Sequence, residues 1–237
     1  MTDTSLAVRR PRDVVAVVGP DARTYLQGQL SQDVEALEVG GSAETFLLQP
    51  AGKVDAWMRV SRLADDHFLL DVEEGFGPQV AARLTRFLLR TDCTVQEVQW
   101  GLVTVIDAEA SAFSPPVGGL ALAVEWPGLV AVDLLGPSVE LPGGLAEGSS
   151  RDWEVRRIAA GIPAMGSEMD STTIPGSTGV VERSASFTKG CYTGQELVAR
   201  VNSRSAGTPT RIVRAVGSGP APAVGSDVTV DSDPAGN

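Results

Sequence analysis

The stretch FTKGCYTGQELVAR, which runs from Phe187 to Arg200, decides how this chain is interpreted. Thr193 and Glu196 have the spacing of a capping box, in which both side chains bind backbone N–H groups at the start of a helix. The pattern therefore predicts a helix that starts near Gly194. Three apolar residues are expected on its inner face: Leu197, Val198 and Val201.

The turn before this helix contains Lys189 and Cys191. Free N–H groups and the helix dipole at a helix start favour an anion, and they favour a thiolate over a thiol. Gly190 and Gly194 permit backbone conformations that a side chain would resist. We therefore expect chemistry or ligand binding in this turn. The alternative is an ordinary structural turn with a small buried cysteine and a solvated lysine.

Composition indicates a globular protein. The chain has 237 residues, of which 43% are hydrophobic and 21% are charged, enough for one large domain or two to three small ones. No run approaches the roughly 20 apolar residues of a membrane helix. The first residues, MTDTSLAVRRPRD, lack the apolar stretch of a secretory signal. We therefore expect a cytoplasmic protein with no membrane partner.

A metal centre is not expected. The chain has two cysteines, Cys93 and Cys191, which lie far apart, and one histidine, His67. These residues cannot supply the three or four ligands that a zinc site needs.

The net charge of −11 argues against binding to nucleic acid, because affinity for phosphate backbones comes largely from Lys and Arg. The charge is uneven, however. Residues 150–214 contain nine basic and six acidic residues. A local positive region within an acidic protein suits a small anionic ligand, unless these arginines are ordinary solvated or paired surface charges.

Hydrophobic periodicity predicts an α+β protein with mostly antiparallel sheets. Helices are expected after Asp21, over 78–90 and from Asp152, where Val155, Ile158 and Ala159 would face inward. Strands are expected over 45–48, 54–61, 68–72, 94–98, 102–106, 120–124, 129–134, 212–216 and 227–230. In the second of these strands Val54, Ala56, Met58 and Val60 face the core, and Trp57 has the exposed phase.

Several segments in order resemble one family. KGCYTGQELVAR resembles the signature of YgfZ-type folate-binding proteins, which are relatives of the aminomethyltransferase (T-protein) of the glycine cleavage system. Support comes from TYLQGQLSQDVEAL at 24–37, AETFLLQPAGKVDAWMRV at 43–60 and RRIAAGIPAMGSEM at 156–169. The octapeptide KGCYTGQE is highly specific, whereas the other segments are supportive.

The resemblance implies a T-protein-like arrangement of domains around a central channel that takes up tetrahydrofolate or a derivative. It implies a first, folate-binding domain of residues 1–92 plus 146–204 and an inserted α/β domain over 93–145. Residues 205–237 would begin a C-terminal barrel domain that the chain leaves incomplete. It also implies an accessory role in the assembly or repair of iron–sulfur proteins, including enzymes that thiolate tRNA, with assembly or client proteins as partners.

Site residues follow from the turn and from the resemblance together. Cys191 would be the functional thiol, and Lys189 would favour the thiolate or hold an anion. Polar and aromatic contacts to folate would come from Gln27, Asp33, Tyr192, Gln195, Glu196 and Arg200.

A second hypothesis is a tetrahydrofolate-dependent aminomethyltransferase or other one-carbon transferase. Asp55 would be its acid or base. Where T-proteins have two adjacent aspartates, this chain reads Val54, Asp55 and Ala56, so one carboxylate remains. A third hypothesis is a redox or scaffold protein that exchanges persulfide or cluster components through Cys191.

Overall fold

The computed structural model describes residues 5–202, 208, 210–216, 223, 225–230 and 233–236. The strands are β1 (Leu6–Arg10), β2 (Arg12–Val18), β3 (Ser42–Leu48), β4 (Val54–Ala64), β5 (His67–Glu73), β6 (Thr94–Val98), β7 (Gly101–Ile106), β8 (Leu120–Trp126), β9 (Leu129–Gly136), β10 (Ala146–Gly148), β11 (Val228–Val230) and β12 (Asp233–Gly236). The helices are α1 (Ala22–Gln29), α2 (Gly77–Thr85), α3 (Ser150–Ala160), α4 (Val181–Ser184) and α5 (Gln195–Asn202). Two 3₁₀ turns cover Ala110–Ala112 and Pro175–Ser177.

Two five-stranded sheets form the body of the protein. The first sheet has the order β3-β4-β5-β2-β6, and the second has the order β10-β1-β7-β9-β8. All pairs in both sheets are antiparallel except β1 with β10. The short pair β11-β12 is also antiparallel. The predicted α+β class with mostly antiparallel sheets is confirmed.

Strands cross between the two predicted domains. Strand β6 extends the first sheet by pairing with β2. Conversely, β1 lies in the second sheet between β7 and β10. The domain boundaries at 92 and 146 remain a prediction. With these boundaries, β6 and β1 would each pair with strands of the other domain.

Strand β4 follows its predicted phase with one correction. Val54, Ala56, Met58 and Val60 are buried as expected, but Trp57 is also buried rather than exposed. The indole of Trp57 packs edge-to-face on Trp126 and donates a hydrogen bond to a buried serine hydroxyl. Both faces of β4 are therefore covered, so a simple alternation does not describe it.

The helices differ from expectation in length and face. Helix α2 ends at Thr85 rather than near Arg90. In α3 the inward residues are Trp153, Arg157 and Ala160, so the prediction of Val155, Ile158 and Ala159 was wrong. The reason is packing, since Trp153 lies against Arg10 of β1 and Arg157 pairs with Glu168. Ser149 is the N-cap and forms a capping box with Asp152, which fixes where the helix starts.

The C-terminal expectations have different outcomes. The expected strand over 212–216 was wrong, because residues 211–216 have no regular secondary structure and Val213 and Val216 are largely exposed. The strand expected over 227–230 is confirmed as β11. No helix within the described residues is both long and apolar enough to span a bilayer.

Candidate functional site

The turn before α5 is anchored to α1 by Lys189. Its Nζ donates to the carbonyl oxygens of Gln27, Leu30 and Gln32 at 2.6, 2.7 and 2.9 Å. These carbonyls belong to the last turn of α1 and the residues just after it, where main-chain oxygens lack helical partners and a cation is favoured. Burial lowers the pKa of Lys189 to about 8, against the opposing effect of Asp33 and Glu35. The ammonium group thus fastens the turn to α1.

Two glycines let the same turn approach the β3–β4 turn closely. Gly194 has φ +80°, and a Cβ there would lie 2.6 Å from the carbonyl oxygen of Gln49. Gly52 has φ +84°, and its Cβ would lie 2.4 Å from the side chain of Leu197. The N–H of Thr193 also donates to the carbonyl of Gly28 at 3.1 Å. Only residues without a side chain fit both positions without strain.

Between these anchors, Cys191 is an exposed free thiol, and Tyr192 beside it is buried. Burial raises the pKa of the Tyr192 hydroxyl, and its ring centroid lies 5.0 Å from Nζ of Lys189. The Tyr192 N–H donates to Oε1 of Gln195 at 3.2 Å, which fixes the start of α5. Glu196 and Arg200 are exposed on α5. The turn therefore holds a surface cysteine in a well-anchored position.

The two polar residues expected from the first helix stabilise a local turn. Nε2 of Gln27 donates to Asp33 Oδ1 at 3.0 Å, and its Oε1 accepts from the N–H groups of Val34 and Glu35. Asp33 also accepts from the N–H of Ala36. Gln27 and Asp33 thus lie near Lys189, and their described hydrogen bonds are to neighbouring residues.

Asp55 follows the β3–β4 turn and pairs with an arginine of α2. It is on β4, and its Oδ2 is 3.3 Å from Nε of Arg83 in α2. Burial raises the pKa of Asp55, partly offset by the charge of Arg83.

A cavity of about 540 Å³ lies between the two sheets and is lined by residues that the sequence did not single out as site residues. None of the nine predicted site residues lines it. Three of the chain's four tryptophans do: Trp57, Trp126 and Trp153. A cavity of this volume with aromatic walls and a few placed polar groups is typical of a small-molecule site.

Aromatic and cationic groups pack against each other in the cavity wall. The rings of Trp57 and Trp126 meet at 87° with centroids 6.3 Å apart. The guanidinium of Arg183 lies 3.7 Å from the Trp126 ring centroid, and that of Arg10 lies 3.8 Å from the Trp153 ring centroid. Cation–π contacts of this kind are favourable and orient both partners.

A buried charge network forms the part of the cavity wall where the two sheets meet. It consists of three arginines and three carboxylates: Arg10, Arg12, Arg59, Asp71, Glu73 and Asp133. Arg59 in the first sheet bridges Asp71 at 2.8 Å and Asp133 in the second sheet at 2.7 Å. Burial would raise the pKa of Asp133, but Arg59, Arg10 and a hydrogen bond from Thr104 hold it below its ordinary value. The network is formally neutral and joins the sheets.

Two glutamates of the cavity wall, Glu44 and Glu73, have distinct surroundings. Glu44 pairs with Arg183 and accepts a hydrogen bond from Trp126 Nε1 at 3.1 Å. Burial raises the pKa of Glu44, against the opposing effect of Arg183. Glu73 binds Arg12 through Oε1, whereas its Oε2 is buried and has no hydrogen-bond partner among the described residues. One carboxylate oxygen at the cavity can therefore accept from a ligand N–H.

The sequence carried a signal for these missed residues. Asp71 lies within the apolar run HFLLDV, and Asp133 lies within LVAVDLL. A carboxylate in the middle of a buried strand is rare unless it is paired. Two such carboxylates indicate a buried polar site, although not which partners complete it. Among the described residues, no group of three or more histidine, cysteine or carboxylate side chains is placed to hold a metal ion.

Comparison of this structure with solved ones defines the class of fold. The aminomethyltransferase T of the glycine cleavage system from Bartonella henselae superposes with a TM-score of 0.68 at 17% identity. The match covers 84% of this chain and 63% of that protein. The chain therefore has the aminomethyltransferase T-protein fold.

Sequence relatives define the family. An uncharacterized Haemophilus influenzae protein is 30% identical over 195 residues, which is 81% of this chain and 67% of that protein. The tRNA-modifying protein YgfZ of Klebsiella pneumoniae is 27% identical over 216 residues, covering 81% and 66%. A mitochondrial iron–sulfur cluster assembly factor IBA57 homolog from Pyricularia oryzae is 27% identical over 210 residues, covering 82% and 53%.

The chain belongs to the YgfZ family, which confirms the resemblance predicted from KGCYTGQE. No family model matches it. The chain spans about two thirds or less of the length of these relatives.

Proposed function

We propose that this protein binds a reduced folate in the cavity between its two sheets and supports iron–sulfur cluster assembly or repair, including that of tRNA-thiolating enzymes. The names of the relatives support the second half of this proposal, since they describe tRNA modification and iron–sulfur cluster assembly. The cavity supports the first half. Cys191 is the proposed functional thiol.

The residues of the cavity fit a reduced folate. Its flat ring needs apolar walls, which Trp57, Trp126 and Trp153 supply. The ring's N–H edge needs an acceptor, and Glu73 has a buried carboxylate oxygen without a described partner. The anionic tail needs a basic mouth, and the exposed Arg9 lines the cavity. When bound, a reduced folate carries a one-carbon unit on its nitrogens.

The geometry favours a positioning role for Lys189 over the predicted anion-binding role. Its ammonium contacts three carbonyl oxygens at 2.9 Å or less. That arrangement uses all three donors of an ammonium group. Lys189 would therefore hold the turn in place while the neighbouring Cys191 stays accessible to another protein.

The observation that carries the folate proposal is a cavity lined by three tryptophans and a buried charge network. Calorimetric titration with 5-formyltetrahydrofolate, a probe that resists oxidation, tests it. Binding should also quench intrinsic fluorescence, and Trp126→Phe should reduce that quenching. Trp100→Phe is the matched control, because Trp100 does not line the cavity. Absence of both heat and quenching would refute folate binding.

The thiol proposal has its own test. In cells whose own gene for this protein is deleted, the Cys191→Ala variant should fail to restore iron–sulfur enzyme activity. Its affinity for folate should stay unchanged. Cys93→Ala serves as the control, since Cys93 is half-buried immediately before β6. Full complementation by Cys191→Ala would remove the thiol from the proposal.

The transferase alternative receives less support from the structure. Asp55 pairs with Arg83 and does not line the cavity. Formation of methylene-tetrahydrofolate from tetrahydrofolate and an aminomethyl donor would nevertheless favour it. A folate-binding protein without that product would be an accessory protein.

A further inference from the structure

We propose that the cavity is coupled to the Cys191 turn through three serines, so that a ligand in the cavity orders the turn that presents the thiol. Ser31, Ser184 and Ser186 form this connection, which we call the serine link. The ligand half of the proposal rests on the proposed function. The coupling itself rests on contacts within the chain.

The serine link begins at the cavity wall. Nε1 of Trp57 donates to the hydroxyl of Ser184 at 2.8 Å. The backbone carbonyl of Ser184 accepts from the hydroxyl of Ser31 at 2.5 Å. Both serines are fully buried. Because buried polar groups are costly to leave unpaired, a shift of the Trp57 indole must be followed by Ser184 or lose the bond.

The serine link ends in the cysteine turn. The carbonyl of Ser31 accepts from the N–H of Ser186 at 2.9 Å. The hydroxyl of Ser186 accepts from the N–H of Lys189 at 3.2 Å. Lys189 then fastens the turn to α1 through its ammonium group. Four consecutive hydrogen bonds thus join a cavity-lining ring to the residue that anchors the thiol turn.

A second contact runs parallel to the first. Arg183 lies over the Trp126 ring at the cavity and precedes Ser184 in α4. Its backbone carbonyl accepts from Nε2 of Gln32 at 3.1 Å. The carbonyl of Gln32 in turn accepts from Nζ of Lys189. Both routes converge on Lys189, so α4 is the element that responds to the cavity and holds the turn.

Hydrogen exchange of the amides over 185–194 tests the coupling without any ligand. Trp57→Phe keeps an aromatic ring but removes the N–H that binds Ser184. It should speed exchange in the turn by about fivefold or more, the lower end of typical coupling between sites. Exchange in α3 should stay unchanged, which separates this effect from general destabilisation. Trp100→Phe is the matched control. Unchanged exchange in the Trp57→Phe turn overturns the proposal.

The ligand arm uses 5-formyltetrahydrofolate at saturation. It should slow exchange in the same turn by about fivefold or more. The double variant Gln32→Ala/Ser186→Ala removes the side chains of both routes and should abolish this response without changing the affinity measured by calorimetry. Ser167→Ala, an exposed serine bonded to its neighbour Glu168, is the control. A response that survives in this double variant indicates direct shielding and overturns the coupling. Absence of binding in calorimetry refutes the proposed function, and the ligand-free arm still decides the coupling.

Discussion

Replacing Asp133 by asparagine should destabilise the protein far more than its small change in size suggests. Asp133 is 3% exposed and accepts from Arg59 at 2.7 Å and from the hydroxyl of Thr104. Arg10 lies 3.5 Å away. Asparagine keeps the shape but removes the charge. The network of three arginines and three carboxylates would then hold one uncompensated buried positive charge.

Breaking a buried ion pair by removing one partner costs about 3–5 kcal/mol. That is a large share of the roughly 5–15 kcal/mol that stabilises a typical domain. Arg59 retains Asp71, which places the expected loss near the lower end, at about 3 kcal/mol.

Urea unfolding measures this loss, with Asp65→Asn as the matched control. Asp65 also pairs with an arginine, Arg62, at 2.8 Å, but its side chain is 92% exposed. An exposed pair contributes about 0–1 kcal/mol. The midpoint should therefore fall strongly for Asp133→Asn and little for Asp65→Asn, with unchanged slopes. Equal losses in the two variants would show that burial of the network does not matter.

Three further outcomes are expected. Gly194→Ala should lower the free energy of unfolding by about 1–2 kcal/mol because of the left-handed backbone alone, and by more because the new Cβ clashes with the β3–β4 turn. Gly190→Ala is the control. It has open space around it and should change the stability measured in urea by less than about 0.5 kcal/mol. Lys189→Met should lower the free energy of unfolding by about 2–3 kcal/mol, because three carbonyl oxygens lose a charged donor. Lys53→Met is the control, since Lys53 is exposed. Equal effects of the two substitutions would contradict the anchoring role of Lys189. Burial would raise the pKa of Asp133, but the surrounding arginines hold it below its ordinary value. The stabilisation by ionised Asp133 should therefore be complete above about pH 4 and be lost as the pH falls further. When the free energy of unfolding is measured against pH, it should fall less steeply in acid for Asp133→Asn than for the unsubstituted protein.

The sequence predicted most of the longer strands, because these are apolar runs bounded by glycine and proline, but it predicted no strand at β1, β2, β10 or β12. The four strands expected over 94–134 all form. Prediction failed where packing overrode pattern. In α3 the apolar residues Val155 and Ile158 face solvent, because Trp153 and Arg157 occupy the buried face. A prediction based on aliphatic residues alone does not take the larger indole of Trp153 into account.

The cavity was beyond sequence reasoning for a geometric reason. Its lining residues range from Arg9 to Arg183 and come from both sheets. Asp71 and Asp133 are 62 positions apart, yet both bind Arg59, which lies opposite Asp71 in the pairing of β4 with β5 and reaches Asp133 in the other sheet. A periodic pattern records which residues of one strand share a face. It does not record which strand of the other sheet that face meets.

The cysteine turn divides into residues that packing explains and one that it does not. Lys189 binds the end of α1, Tyr192 is buried, and Gly194 permits close approach to the β3–β4 turn. These roles would be complete with serine at position 191. Free cysteine is among the most buried residue types, yet Cys191 is exposed at the surface of a rigid turn. The exposure of this sulfur in a well-anchored turn supports the proposal that Cys191 acts on another molecule.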